Sequence, residues 1–262
     1  GESKMKKGFK IALVVLLMMG LVLATGCSSN DGKEKVYYVG TEPTFPPFEF
    51  QNEETGEITG FDIDLIKAIA EDQGLKVEIQ SLGFDALVPA LQSGNIDIAA
   101  SGMSITEERL LEVDFTDAYI DAGLVIAVSS DNEVIKGEED LEGKVVAVQI
   151  GTTGAAKAQE FLDAGIIKEI KTFNTVDIVM LELINGGVDA VINDKPVTEA
   201  YMAKQEGKIK IVGDVLESDS YGFAIKKGNT ELLEKLNAGL KNVIESGKFA
   251  EIQNKYFSGS EE

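Results

Sequence analysis

Ile96-Asp97-Ile98-Ala99-Ala100-Ser101-Gly102-Met103-Ser104-Ile105-Thr106-Glu107-Glu108-Arg109 begins as an apolar run and ends on the only arginine of a 262-residue chain. A run such as Ile96–Ala100 suits a strand covered on both faces, the usual condition of strands in parallel sheets. Val145-Val146-Ala147-Val148 repeats that character. Outward from these two, strands are predicted at Val36–Val39, Val77–Gln80, Leu124–Val128, Val145–Ile150, Glu169–Phe173, Ala190–Asn193 and Tyr221–Ile225. Segments of helical period lie between and after them: Asp62–Asp72, Phe84–Gln92, Thr153–Phe161, Val176–Ile184, Val197–Gln205, Thr230–Ser246 and Phe249–Phe257. Alternation of this kind predicts an α/β fold with right-handed βαβ crossovers. About 225 residues follow Glu34, enough for two medium lobes or one large domain.

The chain opens differently. Lys4, Lys6, Lys7 and Lys10 precede Ile11–Ala24, an apolar run of 14 residues. That length suits the core of a signal peptide and is short for a membrane span. Leu23-Ala24-Thr25-Gly26-Cys27 follows and resembles a bacterial lipoprotein cleavage box, with Ala24 where leucine is more usual. The expectation is a signal peptide over residues 1–26, a lipid-modified Cys27 and a polar tether to residue 33. An ordinary secretory signal with a cysteine just past it is the alternative.

Composition then removes whole classes of chemistry. Cys27 is the only cysteine and there is no histidine or tryptophan. A Ser-His-Asp triad, a histidine base, a histidine-ligated metal and, once Cys27 is acylated, a thiol nucleophile or disulfide are all excluded. No cofactor is expected. Without residues 1–26 the charge is −24, because four lysines and one glutamate leave with them. Such a surface repels nucleic-acid backbones, so no nucleic-acid partner is expected. Its ordinary meaning is solubility; a weak attraction for cationic solutes comes with it.

Lysine supplies 23 of the 24 basic side chains, which makes Arg109 informative. A guanidinium is a planar fork that meets a carboxylate with two parallel hydrogen bonds, and an ammonium cannot do this. The alternative is a stray arginine on a solvated helical turn, since charged residues are mostly exposed.

Four motifs in order carry a resemblance over essentially the whole mature chain. They are Thr41-Glu42-Pro43-Thr44-Phe45-Pro46-Pro47-Phe48 with Gly60-Phe61-Asp62-Ile63-Asp64; Ser101 to Arg109 with Val113-Asp114-Phe115; Val148-Gln149-Ile150-Gly151-Thr152-Thr153-Gly154; and Val188-Asp189-Ala190-Val191-Ile192-Asn193-Asp194. Together they resemble polar-amino-acid solute-binding proteins of ABC importers, the bacterial extracellular solute-binding family 3. The resemblance implies a type II two-lobed clamp, each lobe a mainly parallel sheet flanked by helices. Lobe one would comprise residues 34–118 and 223–262, lobe two residues 124–216, and the hinge residues 119–123 and 217–222. Departures fall at Ala118, Ile120 and Tyr256, where the family commonly has proline, an aromatic and tryptophan; they touch hinge and packing.

The resemblance also implies roles. Arg109 would clamp a ligand α-carboxylate, joined by the backbone N–H groups of Ser104 and Thr153. Thr153 would stand at a helix N-terminus, where free N–H groups and the dipole favour an anion. Asp194 would pair with the α-ammonium beside the Gly102 carbonyl and the Ser104 hydroxyl, with Ser101 in the same wall. Phe45 and Phe84 would sandwich the ligand side chain, and Glu42 and Gln149 would face its end. Each has a plainer alternative: a threonine-capped turn at Gly151–Gly154, a helix cap at Asp194, core packing for the two phenylalanines. A carboxylate between aromatic faces favours arginine or lysine, with glutamine as the runner-up. The implied partners are a free amino acid, ABC permease subunits and, through Cys27, the outer face of the cell membrane; the chain is expected to be monomeric. An enzyme on the same clamp is a remote alternative, since a raised-pKa glutamate could act as general acid.

Overall fold

The computed structural model describes residues 35–257. The expected signal peptide, Cys27 and the tether lie outside the described residues. The chain begins with β1 (Val36–Thr41), then a meander of β2 (Thr44–Phe45), β3 (Glu49–Gln51) and β4 (Ile58–Thr59). Helix α1 (Phe61–Asp72), β5 (Lys76–Ser81), α2 (Phe84–Ser93), β6 (Ile98–Ala99), α3 (Glu107–Glu112) and β7 (Val113–Phe115) follow. Next come β8 (Ile120–Ser129), β9 (Val145–Gln149), α4 (Thr153–Asp163), β10 (Glu169–Phe173), α5 (Val176–Ile184), β11 (Ala190–Asp194), α6 (Lys195–Lys204) and β12 (Ile209–Tyr221). The chain returns through β13 (Ala224–Lys226), α7 (Thr230–Glu245) and α8 (Lys248–Phe257).

Two five-stranded sheets organise two lobes, in the orders β5-β1-β6-β13-β7 and β10-β9-β11-β8-β12. Each is mixed, not mainly parallel: two parallel pairings lead into two antiparallel ones. The antiparallel halves arise because the chain crosses between sheets on β8 and β12 and re-enters the first sheet on β13, with no βαβ crossover to set direction. In the second sheet the period of two sorts side chains cleanly. Leu124, Ile126, Val128, Val146 and Val148 face Ala158 and Phe161 of α4, while Ala127, Ala147 and Val191 meet Val176, Val179, Met180 and Leu183 of α5. The first sheet is covered by α2 on one face, through Leu87 and Leu91, and by α1 and α7 on the other.

Several expectations shift. The run Ile96–Ala100 forms a strand only at Ile98–Ala99, although Asp97 N and Ala100 N still donate to Tyr38 O and Gly40 O of β1 at 2.8 and 3.0 Å, and Ile96, Ile98, Ala99 and Ala100 all stay buried. The strand expected at Tyr221–Ile225 is two pieces: Tyr221 ends β12, paired with Ile120, and β13 starts at Ala224. Helix α6 begins two residues earlier than expected, at Lys195, with proline tolerated in its first turn. Strand β8 starts at Ile120, not Leu124, and pairs residue by residue with Glu217–Tyr221 of β12. Among the described residues no helix is long and apolar enough to cross a membrane.

Candidate functional site

A small cavity lies where the two sheets' carboxy-terminal loops meet. Its walls are Phe45, Phe84, Gly102, Ser104 and Arg109 from the first lobe and Gln149, Thr152, Thr153 and Asp194 from the second. Eight of the ten residues expected from sequence are in that wall. Glu42 and Ser101 stand one layer behind it.

The loop after β6 is fixed from three sides. Met103 O accepts from Gly222 N at 3.2 Å and Ile105 N donates to Ser220 O at 2.9 Å, so Ser104 faces Tyr221 as a non-hydrogen-bonded pair. Such a residue turns its own N–H and C=O away from the partner strand. The Ser104 carbonyl accordingly accepts from Arg109 Nη1 at 2.8 Å. Gly102 sits at φ +49°, and a Cβ there would lie 2.7 Å from the Phe45 ring. Its N–H donates to Asp62 Oδ2 at 2.8 Å, and the Tyr119 hydroxyl donates to the same oxygen at 2.7 Å.

Arg109 is half-buried in the first lobe on α3, whose Thr106 hydroxyl caps the Arg109 N–H at 3.1 Å. Its Nη2 reaches the second lobe and donates to Gly151 O at 3.0 Å, while its guanidinium carbon lies 5.3 Å from the Phe84 ring centre. Burial pulls its pKa below the usual value, against the nearby carboxylates of Asp194 and Asp219. The solvated-turn alternative for Arg109 does not hold.

Thr152 is the cap of α4, its hydroxyl accepting from Ala155 N at 3.1 Å. Thr153 is the first helical residue, at the dipole's positive end. Asp194 occupies the N-cap position of α6, yet its side chain caps nothing. Its Oδ1 is buried and faces the buried Tyr221 hydroxyl at the edge of hydrogen-bonding geometry. Burial, then Asp219, push the Asp194 carboxyl up to about 7; Tyr221 and Arg109 oppose them. Asp62 is also raised to about 7, by burial against its two donors.

Glu42 is buried, and its Oε2 accepts from Thr44 Oγ1 at 2.7 Å and from Gln149 Nε2 at 3.0 Å. Gln149 Nε2 also donates to Asn174 O at 3.0 Å. Burial raises the Glu42 pKa more than these donors lower it. Ser101 links the walls behind: its Oγ accepts from Glu42 N at 2.9 Å and donates to Glu49 Oε1 at 3.0 Å. Phe45 and Phe84 line the cavity and also belong to the core. Neither lies in a loop: Phe45 ends β2 and Phe84 begins α2.

The sequence model for bacterial extracellular solute-binding proteins, family 3, matches residues 37–259. The chain belongs to that family. It is similar to the arginine-binding extracellular protein ArtP of Bacillus subtilis, 33% identical over 261 residues, covering 97% of this chain and 99% of that one. Among solved structures it resembles an ancestral arginine-binding protein bound to arginine, at 44% identity and a TM-score of 0.81, over 85% of this chain and 98% of that one. It is also similar to an ancestral arginine-binding protein bound to glutamine, at 45% identity and a TM-score of 0.79, over 85% and 97% of the two chains. The two-lobed clamp is thus the fold of the family. Sequence reasoning missed Thr44, Glu49, Asp62, Tyr119, Asp219 and Tyr221, which stand behind or beside the wall. Asp62 lies within a quoted motif, in Gly60-Phe61-Asp62, but only the fold brings it against Gly102.

Proposed function

We propose that this chain captures a basic L-amino acid, arginine or lysine, between its lobes outside the cell and delivers it to an ABC permease. One observation carries the reading: the buried Asp194 carboxylate, which leaves the start of α6 uncapped, shares a cavity with the Arg109 fork and the N-terminus of α4. Those are complementary poles for a zwitterion, set between Phe45 and Phe84. The N–H groups of Ser104 and Thr153 join Arg109 on the α-carboxylate, and Asp194 takes the α-ammonium with the Gly102 carbonyl and the Ser104 hydroxyl. The preference for a cation rests on Gln149 and Glu42. The Gln149 amide nitrogen is engaged by Glu42 and Asn174, so its oxygen is what remains to receive a donor, with the buried Glu42 carboxylate behind it. A neutral amide is the second reading, favoured by the glutamine-bound relative.

Capture proceeds by closure of lobe two (residues 124–216) on lobe one (34–118 and 223–262) about 119–123 and 217–222. A ligand touching both walls favours the closed form only through its differential affinity for it. The match to a family of solute-binding proteins supports a binder over an enzyme. The Leu23–Cys27 box supports a lipid anchor at the outer face of the membrane, with a monomeric body beyond it.

Calorimetry of the soluble form from Ser28 against the twenty amino acids tests this. Arginine or lysine should bind, and should raise the melting transition by the equivalent of about 2.7 kcal/mol at a hundredfold excess over Kd. A strong shift with glutamine and none with arginine or lysine promotes the second reading. No binding tighter than millimolar by any amino acid overturns the proposal.

A further inference from the structure

The Glu42-Pro43-Thr44 turn gathers the hydrogen bonds that join the lobes on the side of the cavity away from Arg109. Helix α5 of lobe two has Thr175 at its N-cap, and that side chain caps nothing; its buried Oγ1 has no partner among the described residues. The first helical N–H, that of Val176, donates instead to Thr44 Oγ1 of lobe one at 3.1 Å. A helix start leaves such N–H groups without an internal acceptor, so a hydroxyl from elsewhere in the fold does the work of a cap. The same Thr44 hydroxyl donates to Glu42 Oε2, the oxygen that also receives the Gln149 amide. The Thr44 carbonyl accepts from the Tyr201 hydroxyl of α6 at 3.0 Å. One residue therefore caps a helix of the opposite lobe, aims the acid behind the ligand's far end, and holds a tyrosine of a second helix.

We propose that Thr44 is a positioning residue for ligand capture: its hydroxyl caps α5 across the cleft and orients Glu42, so that lobe closure and the placement of Glu42 form together. The inference rests on the reading that the lobes close on an amino acid. The Thr44 hydroxyl serves both bonds at once, because a Thr hydroxyl donates one hydrogen and accepts on its lone pairs. Opening the lobes would strip α5 of this cap and leave Val176 N–H to water.

The test compares Thr44→Val, which keeps the shape and loses the hydroxyl, with Thr44→Ser, which keeps the hydroxyl. Loss of a cap and of a bond to a carboxylate predicts a 10- to 50-fold weaker Kd for Val, measured by calorimetry with whichever of arginine, lysine or glutamine binds the parent. Ser should stay within about threefold of the parent. Amide hydrogen exchange at Val176 reads the cap directly, with and without saturating amino acid: because opening removes the cap, parent protection should rise with ligand, and Val should lose the protection that Ser keeps. Equal affinity of Val and parent, Ser as weak as Val, or unchanged Val176 exchange in Thr44→Val overturns the proposal. If the parent binds no amino acid while Val176 exchange still rises in Val alone, the functional reading fails and the cross-lobe cap stands.

Discussion

Ligand affinity should depend on pH through Asp194. Its carboxyl is pushed up to about 7, chiefly by burial, in the protein without ligand. Only the ionised form pairs with an α-ammonium, so proton and ligand compete for the same oxygen atoms. Affinity is therefore full above about pH 7 and is lost as the pH falls through it. At about pH 5.5 roughly 3% of Asp194 is ionised, which predicts a loss of about 30-fold, or about 2 kcal/mol, relative to about pH 8. The same shift acts with the opposite sign on stability. A carboxyl whose folded pKa is raised holds a proton that the unfolded chain has already released, so Asp194 and Asp62 should lower the stability of the ligand-free protein as the pH climbs from about 4 to about 7. Calorimetric titrations stepped across this range measure the first effect and thermal melts the second. Asp194→Asn should bind weakly and with a flat pH profile, whereas Asp62→Asn should keep the slope. A flat profile in the parent protein, or the full slope in Asp194→Asn, would refute the assignment.

Arg109→Lys keeps the charge but loses the fork to Ser104 O and Gly151 O and the face-on approach to Phe84. Affinity should fall by about 30-fold or more, beyond the ligand-free stability that those two backbone bonds contribute; a lower ligand-free melting temperature with affinity kept would make the arginine structural. Glu42→Gln should cost a cationic ligand about 2–3 kcal/mol in calorimetry and a glutamine ligand little, since it removes a charge and keeps an acceptor. Gly102→Ala places a methyl 2.7 Å from the Phe45 ring at a positive φ, so it should destabilise the protein by about 1–3 kcal/mol and weaken binding with it, read by denaturant melts and titration.

The elements that sequence predicted well are those with a full period to show. Helix α5 at Val176–Ile184 agrees to the residue because it buries Val176, Val179, Met180 and Leu183 at helical spacing; strand β10 at Glu169–Phe173 agrees too, though it has no fully buried position. The meander β2–β4 left no such trace, since its strands are two or three residues long. Strand β12 was hidden for another reason: Gly213 to Ser220 is half-exposed or exposed throughout and acidic, and only its pairing with β8 makes it a strand. At the site, Arg109 stood out as the only arginine of the chain, and Asp194 only through the resemblance of Val188–Asp194 to a family motif. Asp62 and Tyr221 were not, because what defines them is contact with segments 40 and more than 100 residues distant, Gly102 for one and Ser104 for the other.

The strand order of the first sheet also dictates an order of assembly. β13 lies between β6 and β7, hydrogen-bonded to both, yet it is made only after the whole of β8 to β12 has been synthesised. Until Ala224–Lys226 emerges, the amino-terminal half has a gap in the middle of its sheet and two open strand edges, a known route to misassociation. The segment from Ile120 to Tyr221 meets no such delay, for its strands pair among themselves and its ends lie side by side. As the chain emerges, the inserted lobe is thus expected to mature first, and the first lobe, which waits for β13, to mature last.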